Sequence, residues 1–135
     1  MANTLKVKVI TLSKVVVEEN IQKLFTKTPT GSLEILPDHA PMIISTKSCI
    51  TSMVGSDGNK IDLFTSNGIL TLKNNEITLC CDATELRDEI DLERAVASKE
   101  RAERRINNPE ENDIERAKMS LDRALVRIDF KQNSK

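Results

Sequence analysis

The sequence predicts an α+β fold, in which an N-terminal antiparallel β-sandwich is followed by a C-terminal antiparallel α-helical hairpin. Up to about residue 86, short runs of alternating apolar and polar residues are separated by turn-forming residues, which is typical of an antiparallel sandwich or barrel. After that point, small apolar residues recur at helical spacing among many charges, which is typical of paired helices. We therefore expect two domains, at residues 1–86 and 87–135.

Length and charge exclude several classes of protein. The chain has 135 residues, a formal net charge of −1 and 30% charged residues, with both signs interleaved. A nucleic-acid-binding protein would show a basic excess and more aromatic residues than the three Phe present here. No apolar run approaches the ~20 residues of a membrane span, and the N-terminus lacks the pattern of a signal peptide. We expect a soluble protein with no nucleic-acid partner and no segment inserted in a membrane.

The cysteines Cys49, Cys80 and Cys81 are predicted to be free thiols that are buried or half-buried. They are odd in number, and their spacing is not that of a zinc site, so we predict no metal centre. Cys80 and Cys81 are adjacent, and successive side chains of a strand point to opposite faces. If they lie in a strand, these two thiols face opposite ways.

The N-terminal part of the chain alternates strands with turns. Residues 5–9 alternate apolar and basic side chains, and residues 15–17 form a second β-branched run. Residues 18–27 are predicted to form one or two further strands with irregular register. Asp57-Gly58 and Asn74-Asn75 predict tight turns between strands. Pro37 and Pro41 predict a fixed loop between them, because proline cannot donate to a strand ladder.

The C-terminal part predicts two helices. Asp91 is a suitable N-cap for the first, and Asn107-Asn108-Pro109 ends it, since Asn tolerates a left-handed φ and Pro cannot continue the helix. Asp113 caps the second helix. The apolar positions that face one another are Ala95, Ala102 and Ile106 on the first helix, and Ile114, Ala117, Leu121, Ala124 and Ile128 on the second. Such a thin seam lets the hairpin exchange partners at a cost on the order of a few kcal/mol, small enough for a regulated switch.

A cluster of mixed charges, from Glu85 to Ala95, marks the joint between the two parts. The hydrophobic period of the chain changes here from that of strands to that of helices. The residue types leave two interpretations open. The cluster is either a hinge or ligand site, or a solvated helix start with ordinary ion pairs.

Four motifs in order resemble the epsilon-subunit family of bacterial F-type, H⁺- or Na⁺-transporting, ATP synthase over nearly the full chain. They are Gly31-Ser-Leu-Glu-Ile-Leu-Pro-Asp-His-Ala-Pro41, Ser66-Asn-Gly-Ile-Leu70, Asp82-Ala-Thr-Glu85 and Ile90-Asp-Leu-Glu-Arg-Ala95. Each motif alone is weak, but the order and spacing together are specific. Ser32 and Glu34 depart from the family, because many members have smaller or apolar residues there.

The resemblance implies a central-stalk subunit with no catalytic activity of its own. The sandwich would bind the gamma subunit and the ring of c-subunits, coupling ion-driven rotation to ATP synthesis. The hairpin would be compact, or would extend towards the alpha/beta catalytic head and inhibit ATP hydrolysis there. The protein would lie peripherally on the cytoplasmic side of the cell membrane. The stalk and c-ring contacts implied by the motifs are Gly31, Leu36, Pro37, Asp38, His39, Ala40, Pro41 and Met42.

Some bacterial members of this family bind ATP in the compact state, so ATP is a possible regulatory ligand, with no cofactor required. The ATP positions implied by the motifs are Glu85, Ile90, Asp91, Arg94, Ala95, Arg101, Arg123 and Arg127. Arginine guanidinium groups suit phosphate oxygens. A second interpretation stays open, in which these charges pair with each other across the hairpin. No glycine-rich phosphate loop is present, so we do not expect hydrolysis by this chain.

Alternative interpretations exist for His39, for the basic cluster of the first helix and for the chain as a whole. His39 beside Asp38 suggests a hydrolase, but no nucleophile elbow accompanies it, and the flanking prolines explain a rigid contact loop. The cluster Arg101, Arg104 and Arg105 is either a solvated face or a surface that meets acidic residues of the catalytic head. The whole chain could instead be a free-standing nucleotide-sensing or coiled-coil adaptor module. Copurification with the gamma subunit separates that module from a rotor subunit.

Overall fold

The computed structural model describes residues 4–109 and 113–133 and divides the chain into two compact units, Met1–Leu86 and Arg87–Lys135. Within the described residues, the first unit is a nine-stranded sheet, and the second contains a short 3-10 helix and two α-helices. The strands are β1 (Leu5–Ile10), β2 (Val15–Thr28), β3 (Gly31–Ile35), β4 (Met42–Thr46), β5 (Cys49–Gly55), β6 (Lys60–Thr65), β7 (Gly68–Lys73), β8 (Glu76–Cys81) and β9 (Thr84–Glu85). The 3-10 helix is Arg87–Glu89, and the α-helices are α1 (Leu92–Ile106) and α2 (Ile114–Gln132). The predicted fold class is confirmed.

The sheet has the strand order β4-β7-β8-β1-β2-β5-β6-β9, and β3 pairs with β2 outside this path. Among the described pairings, β1 and β8 are parallel, with Lys6 opposite Glu76 and Ile10 opposite Cys80, and all the others are antiparallel. The antiparallel pattern predicted from the turns therefore has one departure. Turn residues reveal which strands form hairpins, but β1 and β8 are distant in sequence and no turn joins them.

One face of the sheet is buried in a single apolar core. Leu70 and Leu79 come from one side of the strand order, and Met53 and Leu63 come from the other, yet all four are fully buried in the same cluster. The sheet must therefore fold over on itself, with the two layers facing each other across these side chains. This is the sandwich that the alternating pattern predicts.

Strand β2 is longer than the sequence suggested. The run at residues 15–17 and the segment 18–27 form one strand, Val15–Thr28. The irregular register appears as a shift between Ile21 and Lys23 in the pairing with β5. The first half of β2 pairs with β1, whereas the second half pairs with β3. A shift of this kind bends a strand and lets it serve partners in both layers.

The helix starts are confirmed by their caps. The Asp91 carboxylate accepts from the backbone N–H of Arg94 at 3.1 Å, and Asp113 accepts from Arg116 N–H at 3.2 Å. The predicted reason for the end of α1 is wrong in one detail. Asn107 keeps a right-handed backbone, with φ −76°, so no left-handed residue ends the helix there. Asn107 is the C-cap, with its backbone N–H donating to the carbonyl oxygens of Glu103 and Arg105, and Asn108 Nδ2 also donates to the carbonyl oxygen of Arg104 at 2.9 Å.

Gly68 lies where β7 passes very close to β8. A Cβ atom at this position would lie 2.2 Å from the Cys80 carbonyl oxygen and 2.9 Å from the Cys81 Cβ. Both neighbours belong to the sheet and cannot move independently of it. We expect Gly68→Ala to lower the free energy of unfolding by about 2 kcal/mol, the cost of overpacking, as measured by urea denaturation followed by circular dichroism.

Gly58→Asn provides the control for this substitution. Gly58 has φ +88°, which strains any side chain, but no atom lies within 4 Å of a Cβ there, and Asn is among the residues that bear a positive φ best. The Gly58 variant should therefore lose less free energy of unfolding than the Gly68 variant, because it meets backbone strain without a close contact. Equal midpoints for the two variants would contradict the close approach at Gly68.

Candidate docking and ligand sites

The predicted contact residues lie in and beside the loop of residues 36–41, which joins β3 to β4; we call this segment the docking loop. Gly31 begins β3 and Met42 begins β4, so the predicted contact set consists of the docking loop and one residue of each of the two strands that it joins. Pro37 is half-buried, and the other five loop residues are exposed. The loop therefore exposes both polar and apolar side chains, and its two prolines restrict the backbone conformations that it can adopt.

The docking loop is tied to the turn between β7 and β8 by a reciprocal pair of hydrogen bonds. The backbone N–H of Asp38 donates to Asn75 Oδ1 at 2.6 Å, and Asn75 Nδ2 donates to Asp38 Oδ1 at 3.1 Å. Both residues have a left-handed backbone, with φ 66° and 61°. We call this pair the Asp38–Asn75 clamp. Sequence analysis placed Asn75 in a turn and Asp38 in a loop but could not bring the two together.

His39 is exposed and turned onto its own loop. Its Nδ1 lies 2.8 Å from the Ala40 carbonyl oxygen, and its backbone N–H donates to the Leu36 carbonyl oxygen at 3.3 Å. These contacts shape a surface loop. Across residues 4–109 and 113–133, no group of three or more His, Cys, Asp and Glu side chains is placed to hold a metal ion.

An exposed apolar face lies on the outer side of the layer formed by β4, β7, β8 and β1. Its members are Ile10, Val15, Ile43, Ile69 and Cys80, and we call them the apolar face. Ile69 and Ile10 are both register partners of Cys80, and Val15 is the partner of Ile10, so these four form a row across the sheet. Ile43 is 79% exposed, and Ile69 and Val15 are each 53% exposed.

Sequence reasoning missed the apolar face. Alternation does predict that Ile69 and Leu70 point to opposite sides of β7. It does not reveal that β7, β8 and β1 are neighbours, and only that arrangement brings their outward apolar residues together. Clustered exposed apolar side chains mark a surface that binds another protein far more often than scattered ones do.

The predicted ATP residues divide between the two units. Glu85 lies in β9 of the first unit, where it is the register partner of Phe64. The other seven lie in the second unit, around the start of α1 and along both helices. Ile90 and Ala95 are buried, whereas Arg94 is exposed in the first turn of α1. The N-cap Asp91 is exposed and turns its carboxylate towards that first turn.

Two of the predicted arginines donate to serines one turn earlier on their own helix. Arg101 donates to Ser98 Oγ at 3.0 Å, and Arg123 donates to Ser120 Oγ at 3.2 Å. A guanidinium carries five N–H donors, so one such bond leaves most of its capacity for an anion. The basic cluster of α1 surrounds an open cleft of about 240 Å³, lined by Arg101, Arg104, Arg105 and Asn108.

The beginning of the second unit is fastened to the end of α2. Arg87 Nε donates to the Phe130 carbonyl oxygen at 2.9 Å, and its guanidinium lies 4.5 Å from the centre of the Phe130 ring. Lys131 Nζ donates to the Arg87 carbonyl oxygen at 3.2 Å. We call this set the Arg87 clasp. Phe130 is 1% exposed, so the cation–π contact is formed largely away from water, where it is strongest.

The helices of the second unit pack through small residues. Four of the eight predicted seam residues are buried, namely Ala95, Ala102, Ala117 and Ala124. The other four are half-buried, namely Ile106, Ile114, Leu121 and Ile128.

Among the described helices, none combines the length and apolar character that crossing a membrane requires.

Comparison with known proteins places both units in one family of subunits. A family model described as "ATP synthase, Delta/Epsilon chain, beta-sandwich domain" matches residues 4–87, and one described as "ATP synthase, Delta/Epsilon chain, long alpha-helix domain" matches residues 88–132. The chain is 40% identical to an ATP synthase epsilon chain of Clostridium kluyveri over 130 residues, which cover 96% of this chain and 98% of that relative. It is 42% identical to one of Clostridium botulinum (strain Eklund 17B) over 132 residues, 98% of each chain.

A solved structure shares the fold of the whole chain. A chain in the cryo-EM structure of the Euglena gracilis mitochondrial ATP synthase, OSCP/F1/c-ring, superposes with a TM-score of 0.81 at 15% sequence identity. The match covers 93% of this chain and 79% of that chain. At this identity the likeness concerns the fold alone.

The adjacent thiols of β8 should differ sharply in reactivity. Cys80 is exposed and Cys81 is buried, and burial, reinforced by the neighbouring Cys80, raises the pKa of the Cys81 thiol to about 11. Because the thiolate is the reactive form, Cys81 should stay unreactive at pH 8. We expect a disulfide reagent to modify one thiol per folded chain rapidly at pH 8, and the buried Cys49 and Cys81 much more slowly.

Cys80→Ser is the matching control, because it should abolish the rapid phase and leave the slow one. Rapid modification of a second thiol in the folded chain would contradict the orientation of β8. The slow phase should accelerate as the pH approaches 11, where the Cys81 thiol begins to ionise in the folded protein.

Proposed function

The chain belongs to the delta/epsilon family of ATP synthase subunits, and from this membership we propose that it is the epsilon subunit of the central stalk, a rotor component with no catalysis of its own. Ion-driven rotation would pass through it from the ring of c-subunits to the catalytic head. It would lie peripherally on the cytoplasmic side of the cell membrane. The observation that carries the proposal is the match of both units to one family of subunits, over residues 4–87 and 88–132. The apolar face supports it, because a rotor subunit must hold its partner firmly through every turn.

The apolar face is the proposed contact with the gamma subunit. Ile43, Ile69 and Val15 are more than half exposed in this chain, and their contact with water is unfavourable by about 25 cal/mol for each Å² of apolar surface. A partner that covers them recovers this free energy. The docking loop provides the second proposed contact, with the c-ring, through the residues that the motifs implied.

The helical unit is the proposed regulator. Four of its buried seam residues are alanines, each of which buries little apolar area. The larger seam residues are half-buried. We therefore expect α1 and α2 to separate at a cost on the order of a few kcal/mol, as a regulated switch requires. The compact hairpin would leave the catalytic head free. The extended hairpin would reach the alpha/beta head and inhibit ATP hydrolysis, and the basic cluster of α1 is suited to acidic residues there.

ATP is the proposed ligand that stabilises the compact hairpin. Arg94 is exposed at the first turn of α1, and Arg101 and Arg123 keep unused donors, so basic groups of both helices are available to phosphate oxygens. The carboxylates of Glu85 and Asp91 suit an adenine amino group or a ribose hydroxyl. Any ligand that binds only the compact form increases its population by mass action.

Substitution at the apolar face should weaken assembly. We expect Ile69→Asp to lower the affinity of the full chain for ATP synthase depleted of this subunit by at least about tenfold, since a carboxylate is costly to bury unpaired. Ser56→Asp adds the same charge at the exposed turn between β5 and β6 and should bind as the unsubstituted chain does. Titration of the fluorescently labelled variants with the depleted complex measures both affinities.

Equal affinity for the two variants would show that gamma binds elsewhere. Failure of the unsubstituted chain to copurify with gamma would favour the adaptor module.

Calorimetric titration of the full chain with ATP tests the regulatory ligand. We expect saturable binding that Arg94→Ala weakens by about tenfold or more, because a lost charge-assisted hydrogen bond typically costs 1.5–3 kcal/mol. Arg116→Ala removes an exposed arginine of α2 outside the proposed set and should bind as before. No heat of binding at millimolar ATP would remove the ligand role and leave control of the hairpin to the partner subunits.

A further inference from the structure

We propose that the Asp38–Asn75 clamp is a positioning device that holds the docking loop in the shape in which the rotor binds it. The inference rests on the proposed function and names the residues that set the geometry of one of its contacts. Asn75 is the positioning residue. It lies outside the loop and acts on the partner only through Asp38.

Asp38 and Asn75 match in backbone conformation and in hydrogen-bonding groups. Each adopts a left-handed backbone, which Asn and Asp tolerate better than other residues with side chains. Each also contributes one partner to the reciprocal bonds of 2.6 and 3.1 Å. The backbone N–H of Asp38 is thereby satisfied, although the residue lies in a loop that belongs to no ladder. Losing either side chain breaks at least one of the two bonds.

Asn75 is held firmly by the sheet. Its carbonyl oxygen accepts from the backbone N–H of Lys6 at 2.8 Å, at the start of the central strand β1. The residues that flank its turn, Lys73 and Glu76, are register partners at the ends of β7 and β8. The clamp therefore joins the exposed loop to the β7–β8 turn and, through Asn75, to the start of the central strand β1.

The loop is internally stiff but needs this external anchor. Pro37 and Pro41 fix two of its φ angles, and the contacts of His39 with Leu36 and Ala40 fix its curvature. A stiff segment moves as one body, so a single clamp near its middle sets the direction in which it faces. A loop already held in its bound shape loses little conformational entropy on binding, which raises affinity without a new contact.

The test uses a charge exchange across the clamp in the full chain. Asn75→Asp places two carboxylates against each other and removes the Nδ2 donor. We expect its affinity for subunit-depleted ATP synthase to fall by at least about fivefold. Asn74→Asp is the matched control, since Asn74 occupies the same turn with φ 51° and gains the same charge. It should bind as the unsubstituted chain does.

The double variant Asp38→Asn/Asn75→Asp should recover the affinity of Asp38→Asn alone to within about twofold, since both carry the same change at the predicted contact position and both keep the clamp closed. The amide at position 38 can donate to the carboxylate at position 75, which still accepts from the backbone N–H. Asn75→Gly provides a further variant, which removes both hydrogen bonds of the clamp without adding a charge and suits the φ of 61°. We expect it to lose affinity at a nearly unchanged midpoint of thermal unfolding. Rescue in the exchange shows that the hydrogen bonds across the clamp set the affinity, and the unfolding midpoints separate this effect from a general loss of stability.

Three results would decide against the clamp. They are Asn75→Asp binding as tightly as the unsubstituted chain, Asn74→Asp losing as much affinity as Asn75→Asp, or no recovery in the double variant. Failure of the unsubstituted chain to bind the depleted complex would instead overturn the proposed function itself. The two failures are therefore separable in one set of titrations.

Discussion

Burial of one face of each long strand is the constraint on which the rest of the structure depends. Leu5, Val7 and Val9 of β1 are completely buried, and the side chains between them face outward. Burying each such side chain contributes about 1.5–3 kcal/mol. A slip of one residue in any pairing would exchange the two faces, so the register is strongly determined. The same parity that buries Leu70 and Leu79 exposes Ile69 and Cys80, which means that the core determines which side chains form the apolar face.

The second unit is held together by helix packing and by one cluster of polar and aromatic contacts, not by strand register. Its seam combines buried alanines, which permit close approach of α1 and α2, with larger residues that are half-buried. The Arg87 clasp is concentrated at one end and combines charge, aromatic contact and burial in a few residues. The packing of this unit is therefore distributed along both helices, whereas its polar attachment is local.

Local chemistry allowed much of this architecture to be predicted from the sequence. The N-caps Asp91 and Asp113 and the turns at Gly58 and Asn75 depend on neighbouring residues only, and the structure confirms them. The motifs also identified the family correctly. Most of the predicted site residues lie on segments whose local form was correct, but their assignment to ATP or to the rotor stays a prediction.

Features that depend on distant neighbours could not be predicted. The parallel pairing of β1 with β8, the continuity of β2 and the apolar face all arise from strand order, which no turn motif specifies. The Asp38–Asn75 clamp joins residues 37 positions apart, and each residue alone is an ordinary member of a turn or loop. The Arg87 clasp likewise joins residues 43 positions apart.

The parallel pairing of β1 with β8 also affects how the chain is made. Lys6 pairs with Glu76, about 70 positions further along, so β1 leaves the ribosome long before that neighbour exists. Until β8 is made, the edge of β1 that will pair with it has no partner, and basic side chains such as Lys6 and Lys8 are of the kind that natural edge strands use against pairing with other chains. Contacts so distant in sequence are also expected to slow closure of the sandwich. Order of synthesis therefore leaves the future centre of the sheet as an edge until β8 exists, and the two lysines suit that interval.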